Sequence, residues 1–119
     1  MIVNDSAKPV RAVTDQNLEE VVEAERGVLI LTKTGCGHCV AYQAEIEALL
    51  ERGAMRGTVI GKMPLNQRGV IRDFKRNSPW LADLQFLPHT LLYSKGRRVD
   101  NFAASKGSYL LERIEDAFA

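Results

Sequence analysis

Hydrophobic positions along this chain change period several times, and each change marks an element boundary. Val10-Arg11-Ala12-Val13 alternates and predicts a short strand. Thr14 or Asp15 offers N-cap chemistry. Leu18, Val21 and Val22 follow at i, i+3 and i+4, predicting an amphipathic helix that ends near Gly27. Val28-Leu29-Ile30-Leu31 is a continuous apolar run, the pattern of a strand buried on both faces of a sheet. Gly35-Cys36-Gly37-His38-Cys39 breaks that run and opens a second helix. There Tyr42, Ile46, Leu49 and Leu50 form one stripe, Glu45, Glu47 and Glu51 face elsewhere, and Gly53 suits the end.

Thr58-Val59-Ile60 predicts another buried strand. Val70, Ile71 and Phe74 mark a third helix whose other face carries Arg68, Arg72, Lys75 and Arg76. That basic face reads most simply as solvated helix surface, with docking to an acidic partner as the sharper alternative. Ser78-Pro79 has the N-cap and first-turn chemistry of a further short helix, with Trp80, Leu81 and Leu84 inward. Thr90-Leu91-Leu92-Tyr93 and Arg98-Val99-Asp100-Asn101-Phe102 predict a hairpin turned at Lys95-Gly96. Ser105 begins a last helix with Leu110, Leu111, Ile114 and Phe118 on one face. The resulting order, β-α-β-α-β-α-(α)-β-β-α, predicts an α/β fold with a central mixed sheet and helices on both faces.

A chain of 119 residues is expected to form one domain, 1–119, with a core that needs no staples. Its 45% hydrophobic and 26% charged residues are ordinary for a soluble globular protein. No apolar run approaches the roughly 20 residues that span a bilayer, so no membrane partner is expected. Met1-Ile2-Val3-Asn4-Asp5 lacks a charged leader followed by an apolar stretch, so no signal peptide is expected either. A net charge of +1 argues against a nucleic-acid partner.

The cysteines change the picture. There are two, Cys36 and Cys39, whereas a disulfide-stapled secreted domain has more of them at longer spacings. A close pair in a reducing cytoplasm is either catalytic or metal-binding. A c-type haem is excluded because Val40 stands where the motif requires histidine. A zinc site wants four ligands, and the chain offers only His38 and His89 besides the pair. The redox reading is favoured by context: a buried strand ends just before Cys36 and a helix begins at it. That places the Cys36 sulfur over a helix N-terminus, where free N–H groups and the macrodipole stabilise a thiolate, the nucleophilic form. Cys39, one turn deeper, is within reach of a mixed disulfide on Cys36. Gly37 allows close approach, and a protonated His38 adds positive charge that favours the reduced form.

From about Val10 to Phe118 the chain resembles the thioredoxin superfamily. The resemblance lies in T-D-Q-N-L, V-L-I-L-T-K-T-G-C-G-H-C, V-I-G-K-M-P-L-N and F-L-P-H-T-L-L-Y-S-K-G-R-R. The C-G-H-C tetrapeptide is similar to that of protein disulfide isomerases, whereas ordinary thioredoxins carry C-G-P-C. The resemblance implies the thioredoxin fold and a Cys36–Cys39 redox disulfide. It also implies a cis Pro88 and a Leu87 backbone that pairs with an extended substrate segment. Lys62 matches a lysine placed beneath the active site. The chain also departs from the pattern. Gly35 replaces the usual tryptophan, and Ile30 replaces a buried acid that handles protons for the second cysteine. The segment between Lys62 and Pro88 is longer, and no glycine beside the docking groove is evident in Asn101-Phe102-Ala103. Lys62 is then expected to lack its carboxylate partner. The expectation is a cytoplasmic, monomeric thiol–disulfide oxidoreductase without a cofactor. Its partners are protein disulfide or dithiol substrates and an electron donor that the sequence does not identify. The rival is a non-enzymatic module of the same fold that holds a metal or partner on the cysteine pair.

Overall fold

The computed structural model describes residues 10–104 and 106–118. Its strands are β1 (Val10–Ala12), β2 (Gly27–Thr32), β3 (Val59–Pro64), β4 (His89–Ser94) and β5 (Arg97–Ala103). The helices are α1 (Leu18–Val22), α2 (Gly37–Glu51), α3 (Arg72–Arg76) and α4 (Gly107–Ala117), with a 3-10 turn at Pro79–Asp83. The sheet runs β1-β3-β2-β4-β5. β2 pairs parallel with β3 and antiparallel with β4, as expected of a mixed sheet, so Ile30 lies in register with both Lys62 and Thr90.

The unbroken apolar run of β2 has a direct cause: all six of its residues are buried, because helices cover both faces of the sheet. Val28 and Ile30 pack in one core layer with Tyr42 and Ile46 of α2 and Leu110 and Ile114 of α4. Leu29 and Leu31 point the other way, toward Val21 of α1, Ile71 and Phe74. α2 closes as the sequence leads one to expect. Gly53 has φ +84°, a left-handed conformation costly for other residues, and its N–H reaches Leu50 O while Ala54 N–H reaches Leu49 O. This is the Schellman arrangement that satisfies the last carbonyls of a helix.

Helix starts differ from expectation. α1 begins at Leu18, later than a Thr14 or Asp15 cap implies, because Thr14 to Asn17 form a turn of their own in which Asn17 Oδ1 accepts from Thr14 N. Asp15 caps another helix: its carboxylate accepts from the N–H groups of Asp73 and Phe74 at 2.9 and 3.0 Å, in the first turn of α3. Glu45 does the same across the core, accepting from Gly107 N at 2.7 Å at the start of α4. Ser105, expected to open that helix, lies outside the described residues, as do Met1 to Asp5. Val70, expected on the inner face of α3, precedes the helix and is 41% exposed. Ser78 is buried but makes no side-chain cap, and the turn after it is 3-10. Trp80 is half-buried between the Phe74 edge and the Arg98 guanidinium. Among the described residues no helix is long and apolar enough to cross a membrane.

Two polar ties fasten the layers. Arg113 of α4 grips Asp100 of β5 through two hydrogen bonds and stacks on Phe102, which holds the Asp100 carboxyl below its usual range. Inside the core, the hydroxyls of Tyr42 and Thr90 are hydrogen-bonded at 2.9 Å, and burial pushes the Tyr42 phenol up to about 12. The folded state therefore keeps its proton where an unfolded chain loses it. Stability from this source is full below pH 10 and is lost as pH rises toward 12, by up to roughly 3 kcal/mol. Urea unfolding at pH 9 and pH 12 should show a steeper loss for the parent than for Tyr42→Phe. Equal losses would show that Tyr42 does not carry this dependence.

Candidate functional site

The turn from β2 into α2 sets the site. Gly35 precedes Cys36 with φ +88°, so any larger residue there would be strained. Asn66, on the loop after β3, accepts from Thr34 N at 3.1 Å and fixes the turn from outside. Cys36 is the N-cap of α2: its Sγ accepts from Cys39 N at 3.1 Å, within a helix of 15 residues. A negative sulfur at this position is favoured both by that N–H and by the helix dipole. Cys36 and Cys39 are joined in a disulfide, with Cα atoms 5.3 Å apart. Cys36 is half-buried while Cys39 is only 5% exposed, so the pair presents its first sulfur to solvent.

Leu87 and Pro88, remote in sequence, come to this turn. The Leu87–Pro88 peptide bond is cis, and Cys36 Sγ lies 4.0 Å from Leu87 O. Among the described residues, the Leu87 N–H and C=O have no backbone partner. A groove of about 310 Å³ runs beside them, lined by His38, Phe86, Leu87, Pro88, Ala103 and Ala104. Phe86 in the groove wall and Val40 next to Cys39 are 71% and 70% exposed, uncovered apolar surface near the pair. His38 is exposed at the groove, and Gly37 beside it leaves the approach open.

A second cleft opens next to Cys39, on the side of Gln43 and Lys62. Lys62 is half-buried and donates to Gln43 Oε1 at 2.9 Å, and Gln43 Nε2 donates to Glu47 Oε2 at 3.0 Å. The partner of Lys62 is therefore an amide of α2, in place of the carboxylate that the sequence leads one to expect it to lack. A signal for it exists, since Cys39, Gln43 and Glu47 recur every four residues along one face of a helix. Phe86 and Asn66 were also missed. Phe86 reads in sequence as one more apolar residue, and Asn66 acts through a loop contact that no local pattern encodes.

His89 opens β4 next to Pro88, but its Nε2 is hydrogen-bonded to Asn101 Oδ1 at 3.2 Å. Burial holds its imidazole below the ordinary value, against the pull of that bond. Among the described residues, no group of three or more His, Cys, Asp or Glu side chains could hold a metal. The basic residues Arg68, Arg72, Lys75 and Arg76 are all exposed, and Arg76 pairs with Asp73 at 3.3 Å.

No protein-family model and no curated protein sequence matches the chain. Solved structures do match. Thioredoxin f from spinach chloroplast superposes with a TM-score of 0.74 at 22% identity, over 95% of this chain and 89% of that one. Fasciola hepatica thioredoxin gives 0.68 at 17%, over 90% and 98%. A structure of ferredoxin:thioredoxin reductase with thioredoxin f2 gives 0.72 at 20%, over 93% and 96%. The shared architecture is the thioredoxin fold.

Proposed function

We propose that this thioredoxin-fold chain acts as a single-domain thiol–disulfide oxidoreductase, with Cys36 as nucleophile and Cys39 as the resolving thiol. The observation that carries this reading is the juxtaposition of three features. Cys36 caps a long helix, Cys39 N–H points at its sulfur, and the Leu87 carbonyl, without a backbone partner among the described residues, lies 4.0 Å away beside Pro88. An extended substrate segment adds its own backbone to Leu87, which brings its disulfide in line with Cys36. Thiolate attack forms a mixed disulfide, and Cys39 then displaces the substrate thiol.

The substrates are protein disulfides or dithiols, read by the apolar wall of the groove at Phe86 and Pro88. A reducing cytoplasm suits a pair that must be returned to the dithiol after each turnover, and a monomer suffices for every step. The electron donor has the chemistry of a reductase, the class seen with a neighbouring thioredoxin fold. The test is catalysed reduction of a disulfide-bonded protein by dithiothreitol, followed by turbidity or by mass. The parent should accelerate it, and Cys36→Ser should be inactive. A parent no faster than dithiothreitol alone would remove the proposed activity.

His38 tunes the pair in this reading. Oxidation removes the Cys36 thiolate, and with it the attraction to the helix N-terminus and to a protonated His38. Groups that stabilise the thiolate therefore make the disulfide a stronger oxidant. Proline at this position removes the charge while suiting the first helical turn. His38→Pro is expected to shift the potential tens of millivolts in the reducing direction, where about 30 mV is 1.4 kcal/mol for two electrons. Solvent exposure of His38 limits the size. Equilibration of both proteins with glutathione at pH 7 decides it: an equal or more oxidising potential would exclude His38 from the mechanism.

A further inference from the structure

A cavity of about 410 Å³ opens where the loop after α2 meets the last turns of α4. Met55, Leu111, Ile114 and Phe118 give it apolar walls. Arg26 and Arg56, both exposed, complete them. Arg26, just before β2, holds its guanidinium 5.9 Å from the centre of the Phe118 ring and donates to Phe118 O at 3.5 Å. Arg56 Nε donates to Gly53 O at 3.3 Å. A Cβ at residue 53 would lie 3.2 Å from Arg56 Nη2, so the glycine that closes α2 also leaves room for this guanidinium.

A guanidinium carries five N–H donors, and these contacts occupy one on each arginine. Among the described residues neither arginine has an ion pair, although Glu115 lines the same cavity. Two arginines against one glutamate leave the wall net positive beside an apolar floor. That combination suits a ligand with an apolar body and a single negative head. A planar carboxylate matches the fork of N–H donors on a guanidinium. The volume falls in the range of small-molecule sites.

We propose that this cavity is a second binding site, for a small monocarboxylate whose apolar body is a medium-length acyl chain or one of similar size. Met55, Leu111, Ile114 and Phe118 take the chain, and Arg26 and Arg56 hold the carboxylate. The cysteines play no part in it. Cys36 opens α2 and Gly53 follows its end, so 15 residues of helix, about 22 Å at 1.5 Å per residue, lie between them. Occupancy therefore leaves the groove at Phe86 and Pro88 free, and the site stands apart from the oxidoreductase reading.

The test is a titration of the full chain with octanoate at pH 7, followed through its backbone amide signals by NMR. Signals of Gly53, Met55, Leu111 and Phe118 should shift together and saturate, while those of Phe86 and Ala103 stay in place. Octylammonium has the same chain with the opposite charge, and acetate has the same head without the chain. Neither should give saturable shifts at these positions. Arg26→Gln and Arg56→Gln should each weaken octanoate about fivefold, as for an exposed charge pair, and the double change more than about tenfold. Both positions are exposed, so these variants keep the fold. Glu115→Gln removes the opposing charge and should tighten binding. The proposal is overturned if no shift saturates up to about 10 mM octanoate. It also falls if the shifts gather at Phe86 and Ala103, if octylammonium or acetate binds as tightly, or if the double arginine variant keeps the parental affinity.

Discussion

Cys39→Ser will accumulate a mixed disulfide between Cys36 and a protein substrate, and Cys36→Ser will trap nothing. The asymmetry follows from where each sulfur sits. Cys36 is the helix N-cap, half-buried and 4.0 Å from the O of Leu87, a residue that lines the groove. Its sulfur accepts from Cys39 N, a geometry that favours the thiolate over the thiol at this position. Cys39 is 5% exposed and lies one turn inward, which denies it an incoming disulfide but leaves it within a bond's reach of Cys36. Removing the Cys39 thiol removes the only intramolecular exit from the mixed disulfide, and its lifetime then depends on external thiol. Non-reducing electrophoresis and intact mass after mixing with a disulfide-bonded protein measure the adduct. Equal trapping by the two variants would contradict the assignment of roles.

Ile30→Asp will destabilise the fold by about 3–5 kcal/mol, the range for a buried charge without full compensation. Ile30 is 2% exposed in the middle of β2, packed in the layer that includes Val28, Tyr42 and Ile46. The introduced carboxyl loses its water and finds two polar neighbours in register, Lys62 and Thr90, of which Thr90 is already committed to Tyr42. Lys62 offsets part of the cost, so Ile30→Asp combined with Lys62→Met should fall further than the two changes added separately. Ile30→Val, which removes one methylene, should cost only about 1 kcal/mol. Urea unfolding gives all four values. An Ile30→Asp protein with parental stability would mean that this position is not buried and that β2 is misplaced.

What the sequence disclosed and what it hid divide along the range of the interactions. β2 was legible because burial on both faces leaves a continuous apolar run, and the site was legible because a strand that ends at C-x-x-C before a helical stripe has few other readings. The end of α2 was legible in Gly53, whose role is local. Asp15 was misread because its amide partners, Asp73 and Phe74, lie far along the chain, so its cap looks in sequence like a cap for the helix that follows it. Glu45 read only as a residue off the apolar stripe of its helix for the same reason, although it accepts from Gly107 N across the core. Ile30 correctly warned that Lys62 lacks a carboxylate, yet the replacement, Gln43, becomes visible only when α2 is laid over β3. Val70 shows the opposite error: an apolar residue in helical phase lies before the helix because Ile71, not Val70, is the last residue outside it.

The measurement that bears most directly on the central claim is the equilibrium of the Cys36–Cys39 pair with a graded series of reduced and oxidised glutathione, quenched by alkylation and read by mass. A redox-active pair should pass reversibly through one two-electron transition, with a midpoint between roughly −270 and −120 mV, the span of thioredoxin-type to strongly oxidising oxidoreductases. A midpoint below about −300 mV, as structural disulfides have, or a pair that does not exchange with glutathione at all, would contradict it.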